Sequence, residues 1–469
     1  MPTSNEPPST ADQEGIASAY HFLNEAEKLV ATRQTSAIKQ AIEQVSAAIE
    51  IAQGLQKDNH PDAPRLLSAV WLGKANALRE LNTAGARAEA LPCYEQALEH
   101  FQSVARSGSP DDANHLANLW TNRGLALLDD GSRAALTKAL PCFERAIELR
   151  RDLPLDQNPK YMWGLSAAWM NAADVLTRLG EPTQLARAME SYDKAIALLQ
   201  RMPLDEHPTF RARLALAWMN RGLAAAGQAN AEGTQEARRC FAESIQQFQG
   251  HPPAHPEQRR ILSCAHLNHG HALLNQQPPE PSLARENAFA ALGLAAEFEK
   301  NEVLAAQIGL QARHLLCRAI AFLVDLGRVP EDWISETTDA VDDGMALARY
   351  WRLHGETALL SEIEAELFRY GALILRMCQP HFLSEFILEC MDPERSPGAP
   401  AAEEAMHHIA TDAIWSIIVD INAQFQADPS EANQSRLGAR LQDVHEAEKR
   451  LTGLRLQYVS PKEEMQAVV

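Results

Sequence analysis

The most constraining feature of the chain is a period of 49 residues. Trp71, Trp120, Trp169 and Trp218 stand 49 apart, with Phe22 a further 49 before the first and His266 48 after the last. The strings WLGKANAL, WTNRGLAL, WMNAADVL, WMNRGLAA and HLNHGHAL repeat one pattern. Tyr94, Phe143, Tyr192 and Phe241 keep the same spacing, and Pro61, Pro110, Pro159, Pro208 and Pro256 form a third series. Such self-similarity belongs to stacked-repeat architectures. A unit too small to bury its own apolar face has to stack on its neighbours.

Each unit reads as two helices. The recurring prolines follow His60, Ser109, Asn158, His207 and His255, and proline fits a first helical position because its missing N–H would be unpaired there anyway. Ser109 and Asn158 suit the N-cap before it. The first helix of the third unit then carries Trp120, Gly124 and Leu127 at helical spacing, and after the turn DDGSRAA its second helix carries Phe143, Ala146 and Ile147 on one stripe. The small residues Gly124, Ala139 and Ala146 allow close approach of the two backbones.

On these residues the unit resembles the tetratricopeptide repeat. That family's first helix carries Trp, Asn, Gly and Ala, as in Trp218, Asn220, Gly222 and Ala224; its second carries Ala, an aromatic and Ala, as in Ala188, Tyr192 and Ala195. The match is closest for the units of Trp71, Trp120, Trp169 and Trp218. The unit of Phe22 keeps Ala26, Ala41 and Ala48. That of His266 keeps Asn268, Gly270 and Ala272, but has Ala288 where the aromatic belongs and Phe289 beside it. The family's usual period is about 34 residues, so each unit here is about fifteen residues longer. The expected fold is all-α: an α-solenoid, which the resemblance makes a right-handed superhelix of helix pairs, followed by a C-terminal helical region. We expect a disordered tail over 1–14, six repeats over 15–298 and degenerate helical pairs over 299–391, with helices at 302–326, 333–353, 356–378 and 381–390. A Pro-rich linker at 392–402 then leads to a helical hairpin and tail over 403–469.

An asparagine column is the candidate binding feature. Asn24, Asn122, Asn171, Asn220 and Asn268 share one repeat position, which Gly73 interrupts. Two residues beyond the tryptophan is about 200° around a helix. If the tryptophan packs inward on the second helix, the amides point to the opposite, concave wall. An amide offers two donors and an acceptor, enough to hold an extended peptide backbone without reading its side chains. Superhelical members of the family use a similar asparagine ladder. The alternative is that each asparagine bonds an adjacent helix. Leu72, Met170, Met219 and Leu267 sit next to the ladder, with Leu125 and Leu223 a turn further on, as apolar groove residues or as core. Lys74, Arg123, Arg221 and His269 follow the column, and pairing with carboxylates on a neighbouring helix is preferred over a clamp for an acidic peptide end. The carboxylate clamp of the family's chaperone-binding members is matched only at the asparagine.

Composition narrows the function further. Hydrophobic residues at 46% and charged residues at 22% are globular values. A formal net charge of −19 opposes a phosphate backbone, so no nucleic-acid partner is expected, and a neutral or basic partner is favoured over an acidic one. There is no run of 18 apolar residues, so no membrane span is expected, and the N-terminal stretch lacks the features of a secretory signal. Seven cysteines without a CxxC suggest reduced thiols and a cytoplasmic setting. Cys264, His266, His269 and His271 cluster in sequence, but repeat positions account for His266 as they do for His255, and no metal site is expected. Cys93, Cys142 and Cys240 share a packing position. Asp339, Asp342 and Asp343 read as a solvated face. Phosphate-loop, nucleophile-elbow, dinucleotide and zincin signatures are absent, so no catalytic residue and no cofactor is expected.

The expected function is therefore a non-enzymatic adaptor or scaffold that binds a protein or peptide segment in its groove. Two alternatives remain open: a ligand-responsive regulator or enzyme with its active part in residues 300–469, and a self-assembling protein that forms a homodimer through the C-terminal hairpin.

Overall fold

The computed structural model describes residues 10–104, 109–328, 330–355 and 361–378, with a few single positions between 414 and 430. The linker expected at 392–402, the helix at 381–390 and nearly all of the C-terminal hairpin lie outside the described residues.

The described elements are all helices. They are α1 (Thr10–Ala31), α2 (Thr35–Lys57), α3 (Ala63–Leu81), α4 (Ala84–Val104), α5 (Pro110–Asp130), α6 (Arg133–Arg151), α7 (Pro159–Leu179) and α8 (Pro182–Leu199), then α9 (Pro208–Ala226), α10 (Ala231–Gln246), α11 (Pro256–Asn275), α12 (Pro281–Ala295), α13 (Val303–Asp325), α14 (Trp333–Leu353) and α15 (Ser361–Cys378). The chain divides into two compact units, Met1–Cys240 and Phe241–Val469. α1 begins at Thr10, before the expected boundary at residue 15.

Local chemistry sets the helix limits. Pro110, Pro159, Pro208 and Pro256 each open a first helix, while Pro61 stands two residues before α3. Asn158 Oδ1 accepts from the Lys160 N–H at 3.1 Å and Ser132 Oγ from the Ala135 N–H at 3.2 Å, each satisfying a donor that the helix cannot. Gly131 and Gly180, at φ 72° and 76°, end α5 and α7 in the left-handed region that glycine adopts without strain.

In the first unit the helices pair as antiparallel hairpins, α1 with α2, α3 with α4, α5 with α6 and α7 with α8, and each pair packs on the next. α1 also touches α3, α3 touches α5, α5 touches α7 and α7 touches α9, whereas no comparable contact joins successive second helices among the described residues. The first helices therefore crowd one side and form the inner wall of this stack.

The core of this unit is a series of small clusters. Phe143, Tyr94 and Tyr192 are fully buried within them. Gly124 is needed where α5 crosses α6: a β-carbon there would lie 2.8 Å from the Phe143 ring. Trp71, Trp120 and Trp169 are only half-buried, and each borders at least two clusters. They join neighbouring pairs and do not fill one pair's centre.

An alternation overlies the 49-residue period. Where the second helix carries a tyrosine, the first helix has a polar residue five positions after its tryptophan. Tyr94 faces Asn76, and Tyr192 faces Asp174. Where the second helix carries Phe143 or Phe241, that first-helix position is Leu125 or Leu223. A buried phenol requires a hydrogen-bond partner and a phenyl ring does not.

The second unit pairs α11 with α12, α12 with α13, α13 with α14 and α14 with α15, with α11 touching α13 and α13 touching α15. Its core gathers Leu267, Leu315, Ile320, Trp351 and Phe368. The helices expected at 302–326 and 333–353 are α13 and α14. The repeat fades here because polar contacts replace aromatic ones: the Arg313 guanidinium pairs with Glu299 at 2.9 Å in the interior, and Trp351 Nε1 donates to the Glu299 carbonyl at 2.7 Å.

Candidate functional site

The inner wall of the first unit is built from α1, α3, α5, α7 and α9. Asn24 is exposed on α1; Asn122, Asn171 and Asn220 are half-exposed on α5, α7 and α9. The amides of Asn24, Asn122 and Asn171 make no hydrogen bond among the described residues. Asn220 differs, because its side chain bonds the buried Tyr192 hydroxyl. In the second unit, Asn268 is half-exposed on α11 and also has no hydrogen-bond partner among the described residues.

The apolar residues beside this column divide. Met170 is buried in the core shared by α7, α8 and α9, Met219 is buried on α9, and Leu267 is buried in the core of the second unit. They are packing residues and do not line a groove. They lie one residue, or about 100°, past the tryptophan position. The apolar part of the wall is instead Leu72 and Leu125, both half-buried, and Leu223, which is 41% exposed.

The basic column is committed to structure. Arg123 reaches Glu95 on α4 at 3.1 Å, and Arg221 reaches Asp193 on α8 at 2.6 Å and also pairs with Glu236. Each also places a guanidinium N–H against a cysteine sulfur, Cys142 at 3.1 Å and Cys240 at 3.0 Å. Lys74, Arg123 and Arg221 further lie over the rings of Trp71, Trp120 and Trp218, at 5.7 to 6.0 Å from the centroids. In the remaining repeat, where the position is Ala172, Lys194 covers Trp169 at 4.3 Å. All four repeat tryptophans thus have a cation over one face.

A polar group missed by the column reading sits at α5. Arg150, at the end of α6, is 1% exposed. Its Nε donates to Asn114 Oδ1 at 3.0 Å, its Nη1 to Thr121 Oγ1 at 3.1 Å and its Nη2 to Asn118 Oδ1. Burial pushes the guanidinium pKa down to about 10.

The histidines of α11 do not converge. His266 and His269 both contact Asn287 Oδ1 on α12, at 2.9 and 3.3 Å, and His271 turns to Arg318 on α13 at 3.3 Å. Next to Arg318, His314 lies 3.9 Å from Glu366 and stacks near Tyr370 on α15. Burial lowers the pKa of His271 to about 4, with Arg318 and His314 adding to the effect. No group of three metal-binding side chains forms among the described residues. Cys93, Cys142, Cys240 and Cys317 are buried free thiols whose pKa values burial raises.

A cleft of about 470 Å³ opens at the turn end of the first unit, among Arg79, Arg87, Asp129 and Arg178. Arg79 is already paired with Asp129 at 2.6 Å. No helix among the described residues is long and apolar enough to cross a membrane.

No protein-family model and no curated protein matches the chain. Among solved structures it is similar to BtubC (BKLC) from P. vanneervenii, at 17% identity over 68% of this chain and 93% of that one, with a TM-score of 0.34. It is also similar to the apo form of RapI, at 13% identity over 85% and 98% with a TM-score of 0.42. The apo form of the quorum sensor NprR from B. thuringiensis matches at 12% identity over 95% and 99%, also with a TM-score of 0.42. These likenesses are too distant to carry a ligand or a residue's role across. The architecture rests on the chain's own geometry: antiparallel pairs, first helices in mutual contact, and glycine set against a buried aromatic. Among the described residues each unit is all-α, and the stacked helix pairs of the first unit resemble tetratricopeptide repeats.

Proposed function

We propose that the protein is a non-enzymatic binding module, an adaptor or scaffold that holds an extended protein or peptide segment along the first-helix wall of residues 10–240. Asn24, Asn122, Asn171 and Asn220 bond the segment's backbone, and Leu72, Leu125 and Leu223 receive its apolar side chains. The observation that carries this reading is the state of Asn122 and Asn171. Both amides are half-exposed on the wall, and neither is used by a neighbouring helix. Each can exchange water for a peptide group at a gain of about 0.5–1.5 kcal/mol.

The test is affinity selection of peptides from a randomised octapeptide library by the full-length chain and by a variant with Asn122, Asn171 and Asn220 replaced by alanine. The folded variant is expected to retain peptides roughly ten- to a thousandfold more weakly. Undiminished selection by the folded variant overturns the reading.

A further inference from the structure

The third repeat breaks its apolar columns at three positions, the fourth repeat has a glycine where its column otherwise carries a side chain, and the four positions meet in space. The column Phe101, Arg150, Leu199, Phe248 is apolar except at Arg150. Thr121 replaces the Leu72, Met170 and Met219 of its column, Asn118 stands where the others have Ala69, Ala167 and Leu216, and Gly164 stands where they have His115, Arg213 and Leu262. Three of these exceptions are one hydrogen-bonded group, since Arg150 bonds Asn118 and Thr121 as well as Asn114. Gly164 on α7 supplies the room the guanidinium occupies.

This group holds a positive charge with only neutral partners. No carboxylate lies within ion-pair distance of Arg150 among the described residues. The acids of the first turn of α5 are used elsewhere: Asp112 pairs with Arg65 at 2.8 Å, and Asp111 accepts from the Tyr161 hydroxyl at 2.5 Å. A buried charge left without a counter-charge is costly. Arg150 stays protonated at neutral pH even with its lowered pKa. Its field is weakly screened because it lies out of water.

Of the three side chains that hold the guanidinium, Asn118 is the most exposed. Asn118 is exposed on the inner wall, one turn from Asn122, so that Asn114, Asn118 and Asn122 form a stripe along α5. With its oxygen turned to Arg150, Asn118 presents its N–H donors to a ligand. Thr121 is likewise occupied, accepting from Arg150 and donating to the Ala117 carbonyl at 2.8 Å.

We propose that the inner wall between α5 and α7 is a carboxylate-recognition site, in which Arg150 supplies the charge and Asn118 the donors. The occupant is a single aspartate, glutamate or C-terminal carboxylate on the bound segment. One such group satisfies the site without making the partner acidic overall, which the net charge of −19 disfavours. The inference rests on the peptide-binding reading above and adds the chemical identity of one subsite.

The same octapeptide library distinguishes the two. The wild-type chain is expected to select an acidic residue or free C-terminus at one fixed position, at least about tenfold over Asn or Gln. Arg150→Met is expected to keep selecting peptides and lose the acidic preference. Asn118→Asp, at an exposed position, puts a carboxylate on the guanidinium and is expected to abolish the preference as well. Peptides selected without an acidic preference, or with one that survives Asn118→Asp, overturn this inference and leave the binding reading in place. Failure of the wild-type chain to select any peptide overturns both.

Discussion

Gly164 and Arg150 share one space: a β-carbon on Gly164 would sit 2.6 Å from Nε of Arg150 and 3.1 Å from its Cζ. α7 therefore has no side chain where the guanidinium passes. Gly164→Ala is expected to destabilise the protein by about 1–3 kcal/mol, the cost of overpacking a filled interior. Adding Arg150→Leu, the residue of the next repeat at Leu199, should recover part of that loss. Denaturant melts of the two variants check this; equal stability of Gly164→Ala and wild type contradicts it.

The Tyr94 hydroxyl donates to Asn76 Oδ1 at 2.8 Å. Asn76→Leu leaves a buried phenol without its acceptor and should cost about 1–3 kcal/mol. Asn76→Leu with Tyr94→Phe reproduces the Leu125 and Phe143 chemistry of the next repeat and should restore most of it. A double-mutant cycle measures the coupling, and purely additive losses would refute the pairing.

Trp120 borders the clusters on both sides of α5 and has Arg123 over its ring. Trp120→Ala is expected to cost about 3 kcal/mol, the low end for a large aromatic because the ring is only half-buried. Hydrogen exchange should accelerate in α4 as well as in α6, since both clusters lose a wall. Acceleration confined to α5 and α6 would place the ring in a single pair.

His271 is held neutral by burial, with Arg318 and His314 reinforcing the effect, and its folded pKa is about 4. An unfolded chain takes up that proton near pH 6.5. Stability is therefore fully present above about pH 6.5 and falls as pH drops toward about 4, because only the unfolded state binds the proton in that window. His271→Gln should flatten this part of the profile. Thermal melts at about pH 7 and pH 4.5 check it, and an unchanged slope in the variant excludes His271 as the source.

The helix pairs and their order were legible because Trp, Gly and Pro recur at fixed positions, and each has a direct physical task at its own position. Helix geometry sets the asparagines about 200° from the tryptophans, and Asn24, Asn122, Asn171 and Asn220 are at least partly exposed. Met170, Met219 and Leu267 read equally as groove or core from the sequence, and all three are buried; a direction of about 100° around one helix does not by itself reveal whether a neighbour covers the position. Arg150 was missed for a different reason. Reading columns for agreement passes over the one member that disagrees, and Phe101, Arg150, Leu199 and Phe248 become informative only when the exception is read against the rest. In the second unit the buried Arg313–Glu299 pair belongs to no column, so periodicity carried no sign of it.

The tyrosine–phenylalanine alternation has a consequence for changes in length. Glu95 and Asp193 directly follow Tyr94 and Tyr192, and they pair with Arg123 and Arg221, which open the phenylalanine-type repeats. Neighbouring pairs therefore fit like tongue and groove at the α4–α5 and α8–α9 junctions. At the junction between them Glu144 holds the acidic position, but Ala172 stands where the arginine would be, and Glu144 turns to Arg187 on α8 instead. Excising the unit of α3 and α4 would set Ser46 against Arg123 and strand that guanidinium, whereas excising the unit of α7 and α8 would bring Glu144 to Arg221 and keep an acid in the groove. Tolerance to loss of a repeat therefore depends on which repeat is lost.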